Sequence, residues 1–410
     1  MSYPIEKVRA QFPSLERQYH GKKIAYFDGP GGSQVAQSVL EASRSYMRNG
    51  VANLHGPYPT SQETEKIAAQ ARKAVSDLIG THPEEIAFGA NMTTLTFSVA
   101  RALARQWRGE GEIVVTELDH RANVDPWLSA AEDFGLKIKW IEVDPERLTL
   151  KTDQLDEIIT EKTKLVAVGL ASNAVGAIND VREIVRHAKK AGAFVAVDAV
   201  HAVPHFAVDM NELGVDLLFC SAYKFFGPHV GIAAIRKEIF EPLRPYKLQP
   251  APKDMPDKLE TGTQNFEGLA GVIAAVDVIA GLGEGETRRE RIVSGYANIE
   301  GYENRLAVKL REGLRKIDRV HLYDPSSRAK TPTVSFRIEG EEPEAVCRYL
   351  VEEHGIFIAS GDFYASTLAE KLAIAARGGW IRAGLAPYNT EEEIDRLIQG
   401  VARLAEKTRS

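Results

Sequence analysis

The octapeptide Ser221-Ala222-Tyr223-Lys224-Phe225-Phe226-Gly227-Pro228 places a lysine between two apolar segments. Residues 215–220 before it and 230–235 after it have the composition of buried strands. Phe219 and the two phenylalanines of the octapeptide are expected to exclude water from the ammonium group. Desolvation disfavours the charged form and leaves a nucleophilic amine that can form a Schiff base. The competing interpretation is a lysine whose stem is buried at a strand end while its ammonium group reaches solvent.

A segment upstream, residues 193–201, has the pattern of a buried strand that ends in a carboxylate, Asp198. The chain between Asp198 and Lys224 is long enough for one crossover, which would bring the two residues to neighbouring strands. An acid at the carboxyl end of a parallel strand faces the crevice in which α/β proteins bind ligands. Enzymes that use pyridoxal 5′-phosphate need such a pair, because the lysine holds the aldehyde and the carboxylate keeps the pyridine nitrogen protonated.

These two segments resemble the class V aminotransferase family of fold-type I pyridoxal-phosphate enzymes, and most of all the group similar to cysteine desulfurases. The resemblance runs from Gln11-Phe12-Pro13-Ser14-Leu15 to the segment Arg382 to Thr390, which is nearly the whole chain. It implies pyridoxal 5′-phosphate as the cofactor. It also implies an α/β fold, with a mainly parallel seven-stranded sheet flanked by helices and a smaller α+β C-terminal domain. The alternation of strand-like and helical segments favours a mainly parallel sheet without reference to the family.

The chain has 410 residues, more than one hydrophobic core usually holds, so we expect more than one domain. The predicted parts are an N-terminal segment (1–20), a large cofactor-binding domain (21–281) and a small C-terminal domain (282–410). A formal net charge of −6, with basic residues spread along the chain, gives no indication of nucleic-acid binding. Cys220 and Cys347 lie far apart in sequence, which fits a reducing cytoplasm. No apolar run reaches the length of a membrane span, and no metal site is predicted.

The resemblance assigns cofactor-binding roles to residues spread along the chain. At the phosphate these are Met92, Thr93, Ser221 and Thr263, and around the ring they are His120, Asn173, Asp198, His201 and Lys224. Tyr223 is also predicted to bind the cofactor. His120 is expected to stack on the ring, and the predicted catalytic residues are Lys224, His120 and Asp198. Two positions depart from the family: Met92 offers its backbone amide alone, and His201 stands where desulfurases usually have glutamine.

Simpler interpretations compete at several of these positions. The turn at residues 90–94 has the pattern of an ordinary helix cap, and Asn173 that of an Asx turn after a strand. A single histidine after a strand, such as His120, is more often structural than catalytic.

Substrate-binding roles are predicted for Arg382, Asp28, His55 and Tyr364. Arg382 matches the family arginine that binds the substrate α-carboxylate, a contact in which the guanidinium fork also orients the Cα bonds. The alternative is a surface ion pair at a strand end. Asp28 precedes the glycine-rich turn 29–33, which is expected to line the mouth of the site, and His55 lies in the aromatic loop 53–59.

Tyr364 occupies the position at which cysteine desulfurases carry their nucleophilic cysteine, and Ala359 replaces an arginine of the same motif. A phenol cannot carry a persulfide. The sequence therefore predicts C–S lyase or related β-elimination chemistry on a small amino acid first, transamination second and epimerisation third. A non-catalytic family member is the alternative from another class. The segment 259–265 resembles the one that reaches the phosphate of the partner subunit's cofactor, which predicts a homodimer with shared active sites.

Overall fold

The chain is built around a central sheet, seen in a computed structural model that describes residues 3–107 and 109–407. Across these residues the sheet has seven strands, and Gly231–Ile235 is the strand that runs antiparallel to its neighbours. In their order across the sheet the strands are Ile86–Gly89, Gly231–Ile235, Leu217–Ser221, Phe194–Asp198, Thr163–Gly169, Glu112–Thr116 and Lys137–Ile141. The predicted fold class is confirmed.

The inner strands of this sheet are apolar at successive positions because helices cover both faces. The main flanking helices are Gln37–Asn49, Pro59–Ile79, Met92–Trp107, Asp125–Phe134, Val181–Ala191 and Phe266–Ala280. Shorter helices are Ile5–Arg9, Leu155–Ile158, Met210–Leu213 and Lys237–Phe240. Within the described residues, no helix is both long and apolar enough to cross a membrane.

A smaller antiparallel sheet forms the second layer of the molecule. Its strands, in order, are Val320–Tyr323, Thr333–Ile338, Trp380–Gly384 and Ala359–Gly361. The helices beside it are Arg288–Arg315, Pro343–His354, Ser366–Lys371 and Glu391–Lys407. The strand Ala25–Tyr26 pairs with Ile356–Phe357, so the start of the chain is joined to this smaller sheet region.

The predicted domain boundaries stay predictions, and the packing on either side of residue 281 is more intermixed than they imply. Ala25 and Phe27 belong to the core of the smaller sheet, although residues 21–281 were assigned to the large domain. The helix Arg288–Arg315 enters both cores: Ile292 and Tyr296 pack in the larger one, and Leu306 packs in the smaller one. The two regions are therefore tied together by the start of the chain and by the first helix of the proposed small domain.

Candidate active site

A cavity of about 420 Å³ lies at the carboxyl ends of the parallel strands, where the smaller sheet region covers them. This active-site cavity is the crevice that open α/β sheets use for ligands. Its walls include most of the predicted site residues: Asp28, Met92, Thr93, His120, Asn173, Asp198, His201, Ser221, Tyr223, Lys224, Tyr364 and Arg382. Folding brings these twelve residues together from positions spread over the whole chain.

Lys224 ends the single helical turn that follows the strand Leu217–Ser221. Its Nζ donates to the carbonyl of Pro30 and lies 4.6 Å from the centre of the Tyr223 ring. Burial, followed by the charge of Arg382, lowers the pKa of Lys224 to about 8. A pKa this close to neutrality keeps a fraction of the amine unprotonated and nucleophilic at neutral pH.

The phenylalanines around Lys224 lie outside the wall of the active-site cavity. Phe219, Phe225 and Phe226 are buried in the two cores on either side of the central sheet, and they are absent from that wall. Phe219 lies on a strand whose alternate side chains point to opposite faces, and Phe225 and Phe226 follow the helical turn after that strand. Burial is the largest cause of the lowered pKa of Lys224, and a contribution of these three rings to it stays a prediction.

Two buried carboxylates line the cavity: Asp198 ends the strand Phe194–Asp198, and Asp119 follows the strand Glu112–Thr116, with the strand Thr163–Gly169 between these two. Asp198 Oδ1 accepts a hydrogen bond of 2.8 Å from the Val200 amide, and burial raises the pKa of Asp198 to about 6. Asp119 accepts from the Gly169 amide at 2.7 Å and from Asn123 Nδ2 at 2.9 Å, and burial raises its pKa to about 7. Sequence analysis assigned no role to Asp119, although it follows a strand of the same sheet and directly precedes His120.

His120 is held as a neutral imidazole. Its Nδ1 accepts the amide proton of Ala122 at 3.0 Å, which leaves the ring proton on Nε2. Burial, then the charges of Lys224 and Arg382, lower the pKa of His120 to about 4. A neutral ring in a fixed tautomer suits stacking, and the His120 ring lies 5.3 Å from the Tyr364 ring.

Asn173 and His201 both line the cavity and have different hydrogen-bond partners. Asn173 Nδ2 donates to the carbonyl of Phe363 at 2.9 Å, while its Oδ1 is buried without a protein partner. His201 Nε2 lies 3.1 Å from Thr331 Oγ1 and 2.9 Å from Thr333 Oγ1, and burial lowers the pKa of His201 well below its usual value. The unpartnered Asn173 oxygen marks a place where a bound molecule is needed to complete the hydrogen bonding.

The helix Met92–Trp107 begins at the cavity and offers an anion site there. The backbone amide of Met92 was expected to bind phosphate, but it donates to Ser221 Oγ at 3.0 Å. Ser221 therefore fixes the start of the helix. Asn91 Oδ1 caps the amide of Thr94 at 2.9 Å. Thr93, the second helical residue, has an amide with no acceptor in its own helix and a hydroxyl beside it.

Arg382 is buried with 3% of its side chain exposed and still has free donors. Nη2 donates to Asp28 Oδ1 at 3.0 Å and Nη1 donates to the Asn173 carbonyl at 3.2 Å. Nε is buried without a protein partner. The Phe363 ring covers one face of the guanidinium, with its centre 3.6 Å from Cζ. An arginine with this burial and an unpaired donor is not a surface ion pair, and it is suited to a small carboxylate.

The turn that carries Tyr364 is pinned above the cavity in a strained conformation. Phe363 and Tyr364 both have left-handed backbones, with φ of 51° and 58°, which bulky residues adopt at a cost of about 1–3 kcal/mol each. The Arg121 amide donates to the Tyr364 carbonyl at 2.8 Å, and Asn173 holds Phe363 as described. Phe363 was missed by sequence analysis, because its contact with Arg382 depends on this backbone conformation.

His55 and Thr263 lie outside the active-site cavity of their own chain. The His55 side chain is 78% exposed and its Nδ1 lies 3.5 Å from Glu65. Thr263 lines a separate cavity of about 590 Å³. Both cysteines are buried: Cys220 lies in the core, and burial raises the pKa of Cys347 to about 11.

Comparison with known proteins places this site in a family. The family description "Aminotransferase class-V" matches residues 25–397. The chain belongs to this family. Its members use pyridoxal 5′-phosphate, so the chain is a pyridoxal-phosphate-dependent enzyme.

Curated relatives and solved structures match the chain over almost its full length. An uncharacterised protein of Mycobacterium tuberculosis (strain CDC 1551 / Oshkosh) is 31% identical, with 98% of this chain and 100% of that protein covered. A cysteine desulfurase of Yersinia pseudotuberculosis (serotype IB, strain PB1/+) is 32% identical, with coverage of 98% and 99%. Among structures, the apo cysteine desulfurase of Thermococcus onnurineus NA1 has a TM-score of 0.88 at 30% identity, with 99% of both chains covered.

The residues in the cavity fit the cofactor of the family. Lys224 follows the strand that adjoins the one ending in the buried carboxylate of Asp198, and a helix N-terminus with a hydroxyl at Thr93 suits a phosphate. The unpartnered Asn173 oxygen supplies a buried polar atom that needs a ligand. Within the described residues, no group of three or more His, Cys, Asp or Glu side chains is arranged to bind a metal.

Proposed function

We propose that this enzyme is a C–S lyase, which removes a sulfur substituent from Cβ of a small amino acid by β-elimination. The proposal rests on Tyr364, which lines the cavity and which, by the family resemblance, is expected to occupy the position of the nucleophilic cysteine of desulfurases. The two cysteines in the chain are buried, and burial raises the pKa of both, so neither offers a thiolate to the site. Transamination and then epimerisation are the alternatives within the family. The intact pair Lys224 and Asp198 speaks against a non-catalytic role.

Pyridoxal 5′-phosphate supplies an electron sink that acidifies the substrate Cα proton. Under the proposal Lys224 holds the aldehyde, Asp198 pairs with the ring nitrogen, and the Thr93 end of its helix binds the phosphate. Arg382 binds the α-carboxylate through its free donors and so fixes which Cα bond points at Lys224. With a pKa of about 8, the Lys224 amine can accept the Cα proton once the substrate has displaced the amine from the aldehyde.

Tyr364 is proposed to protonate the departing sulfur. The Cβ–S bond breaks, the sulfur leaves with the bonding electrons, and the phenol supplies the proton that makes it a thiol. Tyr364 is 69% exposed at the cavity mouth, so the product thiol can leave and the phenol can recover its proton from water. The remaining three-carbon fragment is released and takes up water, which yields pyruvate and ammonia.

The lyase proposal predicts pyruvate, not alanine, from L-cysteine and from S-methyl-L-cysteine, with no persulfide on the protein. Tyr364→Phe should slow elimination by at least about tenfold, because general acids contribute 10²- to 10⁴-fold, while the absorbance of the bound cofactor stays unchanged. Tyr246→Phe serves as the control, since Tyr246 is half exposed and outside the active-site cavity. Stoichiometric alanine from cysteine, with a persulfide mapped to Cys220 or Cys347, would refute the proposal and restore a desulfurase.

We further propose that the enzyme is a homodimer in which Thr263 completes the phosphate site of the partner subunit. The support is that Thr263 lies outside its own active-site cavity, although the family resemblance assigns it to phosphate binding. His55, exposed and outside its own cavity, is proposed to reach the partner's substrate in the same way.

Mixed dimers test this arrangement. Lys224→Ala and Thr263→Ala chains should each be poorly active alone, and refolding them together should restore activity above that of either parent. Recovery is expected because one site of each mixed dimer then combines a wild-type Lys224 with a wild-type Thr263. Sedimentation that shows a stable, fully active monomer would contradict the dimer.

A further inference from the structure

A second cavity, of about 650 Å³, adjoins the active-site cavity and opens to the surface. We call it the outer groove. The two cavities have four wall residues in common: Asp28, Gly31, Tyr223 and Ala359. A ligand seated in the active-site cavity therefore lies directly beside the outer groove.

The outer groove presents mainly carbon to its interior. Its apolar walls are Tyr26, Val35, Val351, Phe357, Ile358 and Tyr388. The polar atoms among the wall residues are largely used inside the protein. The Tyr26 hydroxyl donates to the Ser14 carbonyl at 3.2 Å, and the Tyr388 hydroxyl accepts from the Gln34 amide at 3.1 Å.

Two further polar groups in the wall are engaged in the same way. Ser33 Oγ donates to the Tyr223 carbonyl at 3.1 Å and accepts from the Phe226 amide at 2.7 Å. The Asp28 carboxylate is paired with Arg382 at 3.0 Å. Gln34 and His229 also line the groove. A wall of this kind suits an apolar group far better than a charged one.

The position at which the two cavities meet is occupied by Ala359, one of the smallest side chains available. Ala359 is the register partner of Arg382 in the antiparallel pair of strands, so the two residues lie directly opposite each other. A substrate whose α-carboxylate is bound by Arg382 therefore has its Cβ substituent close to Ala359. The small methyl side chain leaves room for that substituent to continue into the outer groove.

We propose that the outer groove binds the S-substituent of a cysteine S-conjugate, and that this substituent is an apolar alkyl or aryl group. The inference rests on the proposed function, because it takes the bond cleaved to be Cβ–S. It adds the substrate class: the carboxylate is bound at Arg382, and the sulfur lies beside Ala359. The alkyl or aryl group beyond the sulfur then lies against the apolar wall of the outer groove.

The test measures affinity along a series of S-methyl-, S-butyl- and S-hexyl-L-cysteine, added to the holoenzyme and followed by the absorbance of the bound cofactor. Burying a methylene strengthens binding by up to roughly fourfold, so S-hexylcysteine should bind at least about 30-fold more tightly than S-methylcysteine. In Ala359→Phe the ratio of the two affinities should fall towards one, because the ring fills the junction. Ala359→Ser, of similar size, should keep the wild-type ratio.

Two results would overturn the proposal: no gain in affinity with chain length in the wild-type enzyme, or an undiminished gain in Ala359→Phe. The first would also be the result if a second copy of the chain filled the outer groove. Failure of the lyase proposal looks different. In that case affinity would still rise with chain length, but none of the three compounds would yield pyruvate.

Discussion

Replacement of Lys224 by alanine is expected to lower kcat by at least about 10³-fold, since loss of a positioned acid–base group alone costs 10²- to 10⁴-fold. The same change removes the amine that holds the cofactor. Borohydride reduction of the loaded wild-type enzyme should attach the cofactor to the protein irreversibly, and the Lys224→Ala enzyme should show no such adduct. Mass spectrometry of the reduced peptides reads out both results.

Lys258 provides the matched control for this experiment. Like Lys224 it is a poorly exposed lysine whose pKa is lowered by burial, but its Nζ donates to the Glu241 carbonyl at 2.7 Å and it is absent from the active-site cavity. Lys258→Met should keep both the adduct and the activity. A borohydride-stable adduct in the Lys224→Ala enzyme would show that another lysine holds the cofactor.

Replacement of Arg382 by leucine should lower kcat/KM by at least about 10²-fold, because hydrogen bonds to a charged group contribute 1.5–3 kcal/mol each and two are lost. The change also leaves the Asp28 carboxylate without its ion-pair partner beside the incoming carboxylate. Arg382→Lys should recover a minor part of the loss, since an ammonium lacks the planar fork. Titration with S-methyl-L-cysteine, followed by cofactor absorbance, separates weaker binding from slower chemistry.

Arg337 is a suitable control, because it lies on the neighbouring strand and its Nη1 donates to the Arg377 carbonyl at 2.9 Å. Arg337→Leu should lower the thermal stability, because this hydrogen bond is lost, and leave substrate affinity near the wild-type value. If Arg382→Leu bound substrate as tightly as the wild-type enzyme, the carboxylate site would have to lie elsewhere in the cavity.

The sequence was informative about the fold wherever a local pattern and a family motif agreed. The strand before Asp198 and the strand before Lys224 are parallel neighbours, as the crossover length between them predicted. The antiparallel course of Gly231–Ile235 between two parallel strands could not be predicted, because it depends on long-range pairing. The start of the helix Pro59–Ile79 also brings a contact that local sequence does not indicate, since the Ser61 hydroxyl holds the loop of His55 by donating to the Asn53 carbonyl.

The site was predictable as a set of residues but not as a set of contacts. Arg382 and Asp28 were both predicted to bind substrate, yet nothing in the sequence indicated that they pair with each other. The bond between the Met92 amide and Ser221 Oγ joins residues from two different strand ends, so it depends on the packing of the sheet. Phe363 carries no motif of its own, since its position over Arg382 follows from a left-handed backbone that local sequence did not reveal.

The helix Arg288–Arg315 has a consequence for how the protein melts. Its first half is part of the larger core through Ile292, Tyr296 and Ile299, and its second half is part of the smaller core through Leu306 and Leu310. A continuous helix propagates order along its length, because each hydrogen bond depends on the turn before it. Loss of either core therefore destabilises the helix on which the other core packs. Heat should unfold both layers in a single cooperative transition, which calorimetry of the protein would record as one peak.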